Sequence, residues 1–333
     1  MTAPLALSLG DPAGVGPELI AAAWARRNVE GLAPFFVVGG SQLLAAAASS
    51  RGLEVPVRRV SDPAEAAKVF AVALPVLGHL DGPYEPGAPD RFGAELAYTS
   101  LSEATRLAVT GDAGAVVTGP IAKSRLAEVG FAHPGQTEFV AAACAIHPED
   151  AVMLLAGPNL RTVPITVHEP LGAVPGLLSA ELIYRKCLVT AIALRRDFGI
   201  VRPRLAVAAL NPHAGEGGRF GDEEARLLEP AITRLRAEGL AATGPHPADA
   251  LFAPHARGDY DVAICMYHDQ ALIPLKALDF DAGVNMTLGL PIVRTSPDHG
   301  TAFGIAGKNL ARPGAMIAAI RMAGACAARR AEA

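Results

Sequence analysis

The sequence predicts an α/β fold of two lobes, each an α/β/α sandwich on a mixed, mostly parallel sheet, with a cleft between the lobes. Its 333 residues suit about two domains. Short apolar runs alternate with longer stretches of helical periodicity, which is the pattern of strands that pair in parallel through helical crossovers. One candidate hairpin in the middle of the chain requires at least one antiparallel strand.

The N-terminal part repeats a strand, turn and helix. We predict strands at residues 5–9, 35–38 and 115–118. A helix begins at Pro17, because the fixed φ and missing N–H of proline suit the first helical position. Ser41 is predicted to cap the helix at 42–48, and the third unit leads into a helix that carries Lys123.

The second half begins with the predicted hairpin of residues 151–155 and 161–167, joined by a Gly-Pro-Asn turn. Helices are predicted at about 179–198 and 222–238, and strands at 205–210 and 262–266. A change in composition near residue 130 divides the chain. We therefore predict a first lobe of residues 1–130 with 295–333 and a second lobe of residues 131–294.

Composition excludes several classes of function. The formal charge of -4 and the 5% aromatic content offer neither a cationic surface nor many stacking rings, so nucleic acid is not expected as a partner. No apolar run approaches the roughly 18 residues of a membrane span, so no membrane association is expected. The first ten residues lack the features of a signal peptide, which predicts a cytoplasmic protein. The four cysteines lie far apart and suit reduced thiols.

Three histidines, His168, His213 and His268, each follow an apolar strand. Because the carboxyl ends of parallel strands line one crevice, these side chains can converge. A single histidine in such a place is more often a loop residue with a backbone partner, but three in equivalent positions favour a site. Three imidazoles without a thiolate leave a coordination position open, which predicts a catalytic divalent metal: Zn²⁺ first, with Mg²⁺ or Co²⁺ as alternatives.

Donor side chains follow the third histidine. Lys276, Asn285 and Arg294 together resemble an anion site for a phosphate monoester, although the two cations fit ordinary surface positions equally well. The glycine-rich turn at residues 10–18 lies between a strand and a helix. Its register matches neither the dinucleotide fingerprint nor the P-loop, so a tight structural turn is the alternative interpretation.

Five strings then identify a family. They are residues 10–18 (GDPAGVGPE), 118–123 (TGPIAK), 211–216 (NPHAGE), 267–270 (YHDQ) and 284–291 (VNMTLGLP). Along essentially its whole length the chain resembles the 4-hydroxythreonine-4-phosphate dehydrogenases of pyridoxal 5'-phosphate biosynthesis. The resemblance implies a homodimer with the active site in the interdomain cleft near the subunit interface. It also implies that His168 and His213 of one subunit and His268 of the other hold the metal.

The resemblance further implies the reaction and the site. It implies NAD-dependent oxidation of 4-phosphooxy-L-threonine to a 3-keto acid, which loses CO₂ to give 3-amino-2-oxopropyl phosphate. The positions that match substrate contacts are Gln136, Thr137, Lys276, Asn285 and Arg294. Asp249 matches an acid proposed to assist catalysis, so we expect it to be the general base, with Asp269 as the second candidate.

A more distant likeness concerns the cofactor. Residues 299–302 and 306–309 are similar to the adenosine-binding loop of isopropylmalate and isocitrate dehydrogenases, which implies NAD, with NADP as the alternative. The residues expected to bind it are Gly300, Thr301, Ala302, Gly307 and Asn309.

The chain departs from the family at Gln136, where the usual residue is histidine. Glutamine forms hydrogen bonds but carries no proton charge near neutral pH. A paralogous dehydrogenase of another phosphorylated hydroxy acid, of the threonate or erythronate phosphate type, is therefore the nearest alternative. A three-histidine metal hydrolase or aldolase, a phosphate acetyltransferase-like enzyme and a non-catalytic phosphometabolite binder are the remaining alternatives.

Overall fold

A computed structural model describes residues 2–332, which form two compact units. Unit 1 contains the chain up to Pro148 together with Leu290–Glu332, and unit 2 contains Glu149–Gly289. The strands of unit 1 are β1 (Leu5–Ser8), β2 (Phe35–Val38), β3 (Val57–Val60), β4 (Leu74–Leu77), β5 (Val116–Thr118) and β12 (Arg294–Pro297). Those of unit 2 are β6 (Val152–Ala156), β7 (Arg161–Pro164), β8 (Arg204–Ala208), β9 (Ala241–His246), β10 (Val262–Cys265) and β11 (Val284–Leu288).

Helices cover both sheets. Those of unit 1 are α1 (Gly16–Ala25), α2 (Ser41–Ser50), α3 (Ala66–Phe70), α4 (Arg91–Thr110), α5 (Lys123–Ala127), α6 (Gln136–Ala143) and α12 (Gly314–Glu332). Those of unit 2 are α7 (Val174–Leu177), α8 (Ala180–Phe198), α9 (Glu229–Ala237), α10 (Ala248–Leu251) and α11 (His268–Asp279). Within residues 2–332, none of these helices combines the length and the apolarity needed to cross a bilayer.

Unit 1 is built on six parallel strands in the order β3, β4, β2, β1, β5, β12. Every residue of β1, β2 and β4 is buried, as expected for central strands with helices on both faces. The longest helix of this unit, α4, is fixed at both ends. Asp90 accepts the Gly93 N–H at 2.7 Å, and Gly111 ends the helix with a φ of 85°.

Unit 2 has the strand order β11, β6, β7, β10, β8, β9. Strand β6 is antiparallel to β11 and to β7, and the remaining pairs are parallel. The predicted hairpin and the mixed, mostly parallel α/β class are therefore confirmed. The helix predicted at 222–238 is interrupted by a π-helical turn at Glu224–Leu228, which precedes α9.

The predicted lobe boundaries differ from the observed ones. Residues 131–148 and 290–294 belong to unit 1 rather than to the second lobe. Phe131 explains the first shift, because it packs with Leu101 and Leu126 in a hydrophobic cluster of unit 1. The second follows from β12, which begins at Arg294 and pairs in parallel with β5. The composition change near residue 130 marks a turn inside unit 1.

The predicted cap of α2 is also wrong. Gly40 is the N-cap, and the Ser41 hydroxyl donates to the Asp81 carboxylate at 2.8 Å instead of capping the helix. Asp81 accepts from the Gln42 N–H at 2.9 Å and from Arg59 Nη2 at 2.8 Å. Burial alone would raise the pKa of Asp81, but these hydrogen bonds outweigh it and lower that pKa.

The hydrogen bonds that the Asp81 carboxylate accepts at the start of α2 make part of the stability of unit 1 dependent on pH. We expect Asp81→Asn to lower the free energy of unfolding at pH 7 by roughly 1–2 kcal/mol. Because the folded-state pKa is lowered, the charged carboxylate stabilises the fold above the unfolded value of about 3.9. This contribution is lost as the pH falls through the folded-state pKa.

Urea denaturation in a pH series from 7 to 3 measures the effect. The gap between wild type and the variant should narrow at the acid end. Asp112→Asn, on an exposed loop, is the control and should change stability by less than about 0.5 kcal/mol. A gap of constant size across the series would contradict the assignment.

Candidate functional site

The three sequence-predicted histidines follow three neighbouring parallel strands of unit 2. β7, β10 and β8 are adjacent, and His168, His268 and His213 come after them in that order. His268 is the first residue of α11, and Tyr267 is its N-cap. The carboxyl ends of parallel strands lie at one edge of a sheet, so this register places all three histidines along the same edge.

His168 and His268 form a pair within one chain. Their ring centroids lie 5.8 Å apart with an interplanar angle of 42°. Both rings line a pocket of about 400 Å³. Its other lining residues include Val167, Glu169, Pro170, Leu171, Tyr267 and Asp269. The Nδ1 of His268 lies 2.7 Å from Oδ1 of Asp269. A neutral ring that donates through Nδ1 to this carboxylate presents its Nε2 as an acceptor.

His213 occupies a different local structure. It is exposed in the turn at Pro212–Gly218, and its ring centroid lies 6.0 Å from that of Phe220. Among residues 2–332 of a single chain, no three His, Cys, Asp or Glu side chains are grouped so that they could hold a metal. One chain therefore brings together two of the expected imidazole ligands, His168 and His268, and does not by itself supply a complete ligand set.

The two candidate general bases occupy separate positions. Asp269 is exposed beside the pocket and contacts His268. Asp249 is exposed in the first turn of α10, and this helix packs beside the Pro212–Gly218 turn. The geometry thus places one carboxylate next to the histidine pair and the other next to the segment of His213.

Arg294 has the environment of an anion-binding residue. Its side chain is 3% exposed at the start of β12. Its Nη2 donates to Thr118 Oγ1 at 2.7 Å, and Nη1 reaches Thr137 Oγ1 at 3.5 Å. Burial lowers the pKa of Arg294 to about 10, and the charge of Glu138 acts against that effect. The guanidinium remains cationic at neutral pH.

Gln136 lies beside this group, as the first residue of α6. Its Nε2 donates to the Gly119 carbonyl at 3.1 Å, which fixes the orientation of the amide. Its Oε1 is buried and accepts no hydrogen bond from any residue of the described chain, 2–332. At this position unit 1 therefore presents a neutral acceptor, where a histidine would supply a titratable ring.

Lys276 and Asn285, the other predicted substrate ligands, belong to unit 2. Lys276 is half-buried in the last turn of α11. Asn285 lies in β11, and its Oδ1 is buried with no hydrogen-bond donor among the described residues. The residues predicted for the anion site therefore belong to different units, with Arg294, Thr137 and Gln136 in unit 1 and Lys276 and Asn285 in unit 2.

The glycine-rich turn at residues 10–18 packs against the loop expected to bind the cofactor. The Val15 N–H donates to the Thr301 carbonyl at 2.9 Å. A Cβ on Gly14 would lie 2.9 Å from the same oxygen, so only glycine allows the loop to approach this closely. The loop itself has left-handed backbone at Ala302, Gly307 and Asn309, with φ of 49°, 71° and 55°.

A buried ion pair that the sequence did not predict contacts the segment just after this loop. Glu18, at 0% exposure in α1, lies with its Oε2 3.4 Å from Nη1 of Arg51. Arg51 Nη2 also donates to the Ala311 carbonyl at 3.0 Å. Burial raises the pKa of Glu18 despite the nearby Arg51. The Gly-Pro-Glu string showed an acid in a first helical turn, but no sequence signal linked it to an arginine so far along the chain.

A family model, related sequences and a solved structure match this chain along most of its length, and they agree on one family. Residues 31–323 match the model of the family described as pyridoxal phosphate biosynthetic protein PdxA. The chain is 64% identical over 331 residues to a 4-hydroxythreonine-4-phosphate dehydrogenase of Erythrobacter litoralis, covering 99% of this chain and 98% of that protein. It is 52% identical to that of Zymomonas mobilis, covering 96% and 94%. A crystal structure of the Klebsiella pneumoniae enzyme superposes with a TM-score of 0.85 at 39% identity, covering 98% of each chain.

The hydrogen bond between Arg294 and Thr118 can be tested by stability. Thr118→Val removes an acceptor from a buried cation in a nearly isosteric way, so we expect a loss of roughly 1–3 kcal/mol in the free energy of unfolding. Thr99→Val, on the exposed face of α4, is the matched control and should stay within about 0.5 kcal/mol of wild type. Urea denaturation at pH 7 measures both. Equal small effects would show that Thr118 does not support Arg294.

Proposed function

Because the chain belongs to the pyridoxal phosphate biosynthetic protein PdxA family, we propose that it is a 4-hydroxythreonine-4-phosphate dehydrogenase of pyridoxal phosphate biosynthesis. The observation that carries this conclusion is the 64% identity to an enzyme of that name over 99% of the chain. The proposed reaction oxidises the secondary alcohol of 4-phosphooxy-L-threonine to a 3-keto acid, which then loses CO₂ to give 3-amino-2-oxopropyl phosphate.

Arg294 is proposed to anchor the phosphate of the substrate. A guanidinium forms paired, charge-assisted hydrogen bonds with phosphate oxygens, each contributing about 1.5–3 kcal/mol. Thr118 and Thr137 lie against its two terminal nitrogens and hold the guanidinium plane in place. Lys276 and Asn285 are proposed as further substrate ligands. Fixing the phosphate away from the reacting carbon converts binding energy into orientation.

NAD, with NADP as the alternative, is the proposed oxidant, and its nicotinamide ring would accept the hydride that leaves the alcohol carbon. The loop that contains Gly300, Thr301, Ala302, Gly307 and Asn309 is its proposed binding segment. In support, this loop is seated closely on the glycine-rich turn and is tied to Arg51 through the Ala311 carbonyl. A loop held in this way offers backbone groups in fixed directions, which lowers the entropy lost on binding.

A divalent ion, with Zn²⁺ as the first choice, is proposed to be held by His168, His213 and His268 of two copies of the chain. Such an ion would lower the pKa of the substrate hydroxyl and polarise the ketone formed from it. The chain's own contribution is orientation. Asp269 holds the His268 ring so that Nε2 faces away from the carboxylate. Because Asp269 is engaged in this contact, Asp249 is the proposed acceptor of the hydroxyl proton.

The need for a second copy also follows from surface chemistry. Leu171, which lines the histidine pocket, is 66% exposed, and Ile273 on α11 is 65% exposed. Apolar side chains of this size beside an incomplete ligand set suit a surface that a second subunit covers. We therefore propose a homodimer in which each active site uses both chains.

The second candidate function is a paralogous dehydrogenase acting on another phosphorylated hydroxy acid, such as a threonate or erythronate phosphate. The neutral Oε1 of Gln136 favours this candidate, because a family histidine would present a different group at that place. The two candidates share the fold, the phosphate anchor and the cofactor, and they differ only in the group that Gln136 meets.

One assay tests the proposed function. NAD⁺ reduction is followed at 340 nm with a panel of phosphorylated hydroxy acids, and the metal content of the same sample is measured. We expect NADH formation with 4-phosphooxy-L-threonine at a kcat/KM at least about tenfold above the other compounds, a preference of about 1.4 kcal/mol. A preference for a threonate or erythronate phosphate would establish the second candidate. No NADH with any compound would overturn both.

Arg294 provides a selective prediction. Arg294→Met keeps an unbranched apolar stem but removes the charged guanidinium, so we expect the KM for the phosphorylated substrate to rise about 30-fold or more, and the KM for NAD to change less than about threefold. Arg91→Met, an exposed arginine of α4, is the control. Initial-rate kinetics at pH 7.5 give both constants. Equal increases in the two KM values would contradict the phosphate assignment.

A further inference from the structure

The turn that carries His213 has an unusual backbone. Six consecutive residues, from His213 to Gly218, have positive φ values, and three of them are not glycine. These three are His213, Ala214 and Glu216, with φ of 54°, 52° and 43°. A non-glycine residue in the left-handed region is conformationally strained. Such a run persists only where surrounding contacts oppose relaxation.

Glu224 supplies those contacts from inside the turn. Its side chain is 4% exposed at the start of the π-helical turn. Oε1 accepts the Leu210 N–H at 3.0 Å and the Asn211 N–H at 2.8 Å. Oε2 accepts from Nδ2 of Asn211 at 3.0 Å. One buried carboxylate thus fixes two of the three residues that lead from β8 into the turn.

Two glycines show how closely the turn surrounds this group. A Cβ on Gly215 would lie 2.7 Å from Oε2 of Glu224, and a Cβ on Gly221 would lie 2.5 Å from Nδ2 of Asn211. Neither position has room for a side chain. The carboxylate of Glu224 and the amide of Asn211 therefore form the packed interior around which the turn closes.

We propose that Glu224 is a positioning residue: it holds residues 210–218 in the left-handed conformation and thereby sets the direction in which His213 points. This inference rests on the proposed function for the role of His213, but the holding of the turn stands on its own contacts. A carboxylate suits this position because the three groups that contact it, two backbone N–H groups and the Asn211 side-chain amide, are all hydrogen-bond donors. A glutamine at position 224 keeps one acceptor oxygen, but its NH₂ group would face Nδ2 of Asn211, which is also a donor.

Three variants test the proposal. Glu224→Ala removes all three hydrogen bonds, Glu224→Gln keeps at most two, and Glu223→Gln is the matched control. Glu223 is the neighbouring carboxylate, and its one hydrogen bond within residues 2–332 is accepted from Nδ2 of Asn211, at 2.7 Å. Amide hydrogen exchange, followed by mass spectrometry on peptides covering residues 205–222, reads the turn directly and does not depend on activity.

We expect exchange at residues 210–217 to accelerate by about tenfold or more in Glu224→Ala and by less in Glu224→Gln, with peptides of β1 and β5 unchanged. The kcat should fall by about 50-fold in Glu224→Ala, while the KM for NAD stays within about twofold. The Glu223→Gln control should stay within about threefold in kcat. If Glu224→Ala does not fold, Glu224→Gln carries the same comparison.

Unchanged exchange in the turn, or equal effects of Glu223→Gln and Glu224→Gln, would overturn the proposal. His213→Ala separates this failure from that of the proposed function. If His213→Ala is as active as wild type, the assigned role of His213 is wrong, whereas the exchange rates still decide whether Glu224 holds the turn.

Discussion

The parallel pairing of β7, β10 and β8 is the constraint on which the site in unit 2 depends. Parallel strands direct all their carboxyl ends to one edge, so residues about fifty positions apart in sequence begin their loops side by side. Every residue of β10 is buried, so this central strand is packed on both of its faces. His168, His213 and His268 are brought to one edge by backbone pairing, before any ligand contributes.

Two of the loops at that edge are each held by a separate local contact. Asp269 orients the ring of His268, and Glu224 fixes the entrance to the turn of His213. Unit 1 uses the same approach. Thr118 and Thr137 hold the guanidinium of Arg294, and Arg51 ties down the loop after β12. In both units a side chain of the proposed site is held by a polar partner, which restricts its rotamers before any ligand binds.

The sequence predicts the fold well wherever periodicity and turn chemistry decide the structure. The strands near residues 5, 35 and 115 and the hairpin after residue 150 follow from apolar runs bounded by glycine and proline. The wrong lobe boundary has a different origin. Phe131 packs with Leu101 and Leu126, and such a long-range contact leaves no mark on local composition. The contacts of Asp81 with the start of α2 were not predicted for the same reason, because Asp81 lies about forty residues along the chain from that helix.

The sequence predicts which residue types to expect at the candidate site better than it predicts how those residues are arranged. The strings that contain His213, His268 and Thr301 indicate which residues to expect at the site, but spacing does not show that His168 pairs with His268 inside one chain while His213 lies in a turn of left-handed backbone. Glu18 and Glu224 carried no sequence signal that separated them from surface acids. Their roles appear only when burial and partners are known, since a buried carboxylate must find donors.

We propose that two copies of the chain complete one metal site from three histidines. Titration of the metal-free protein with Co²⁺, monitored by visible absorbance at protein concentrations above and below dimer dissociation, tests it most directly. We expect one Co²⁺ per chain with strong absorbance in the dimer only, and we expect this absorbance to be lost in His168→Ala, His213→Ala and His268→Ala alike. The same spectrum from isolated monomers, or its survival in His213→Ala, would contradict a three-histidine site shared by two chains.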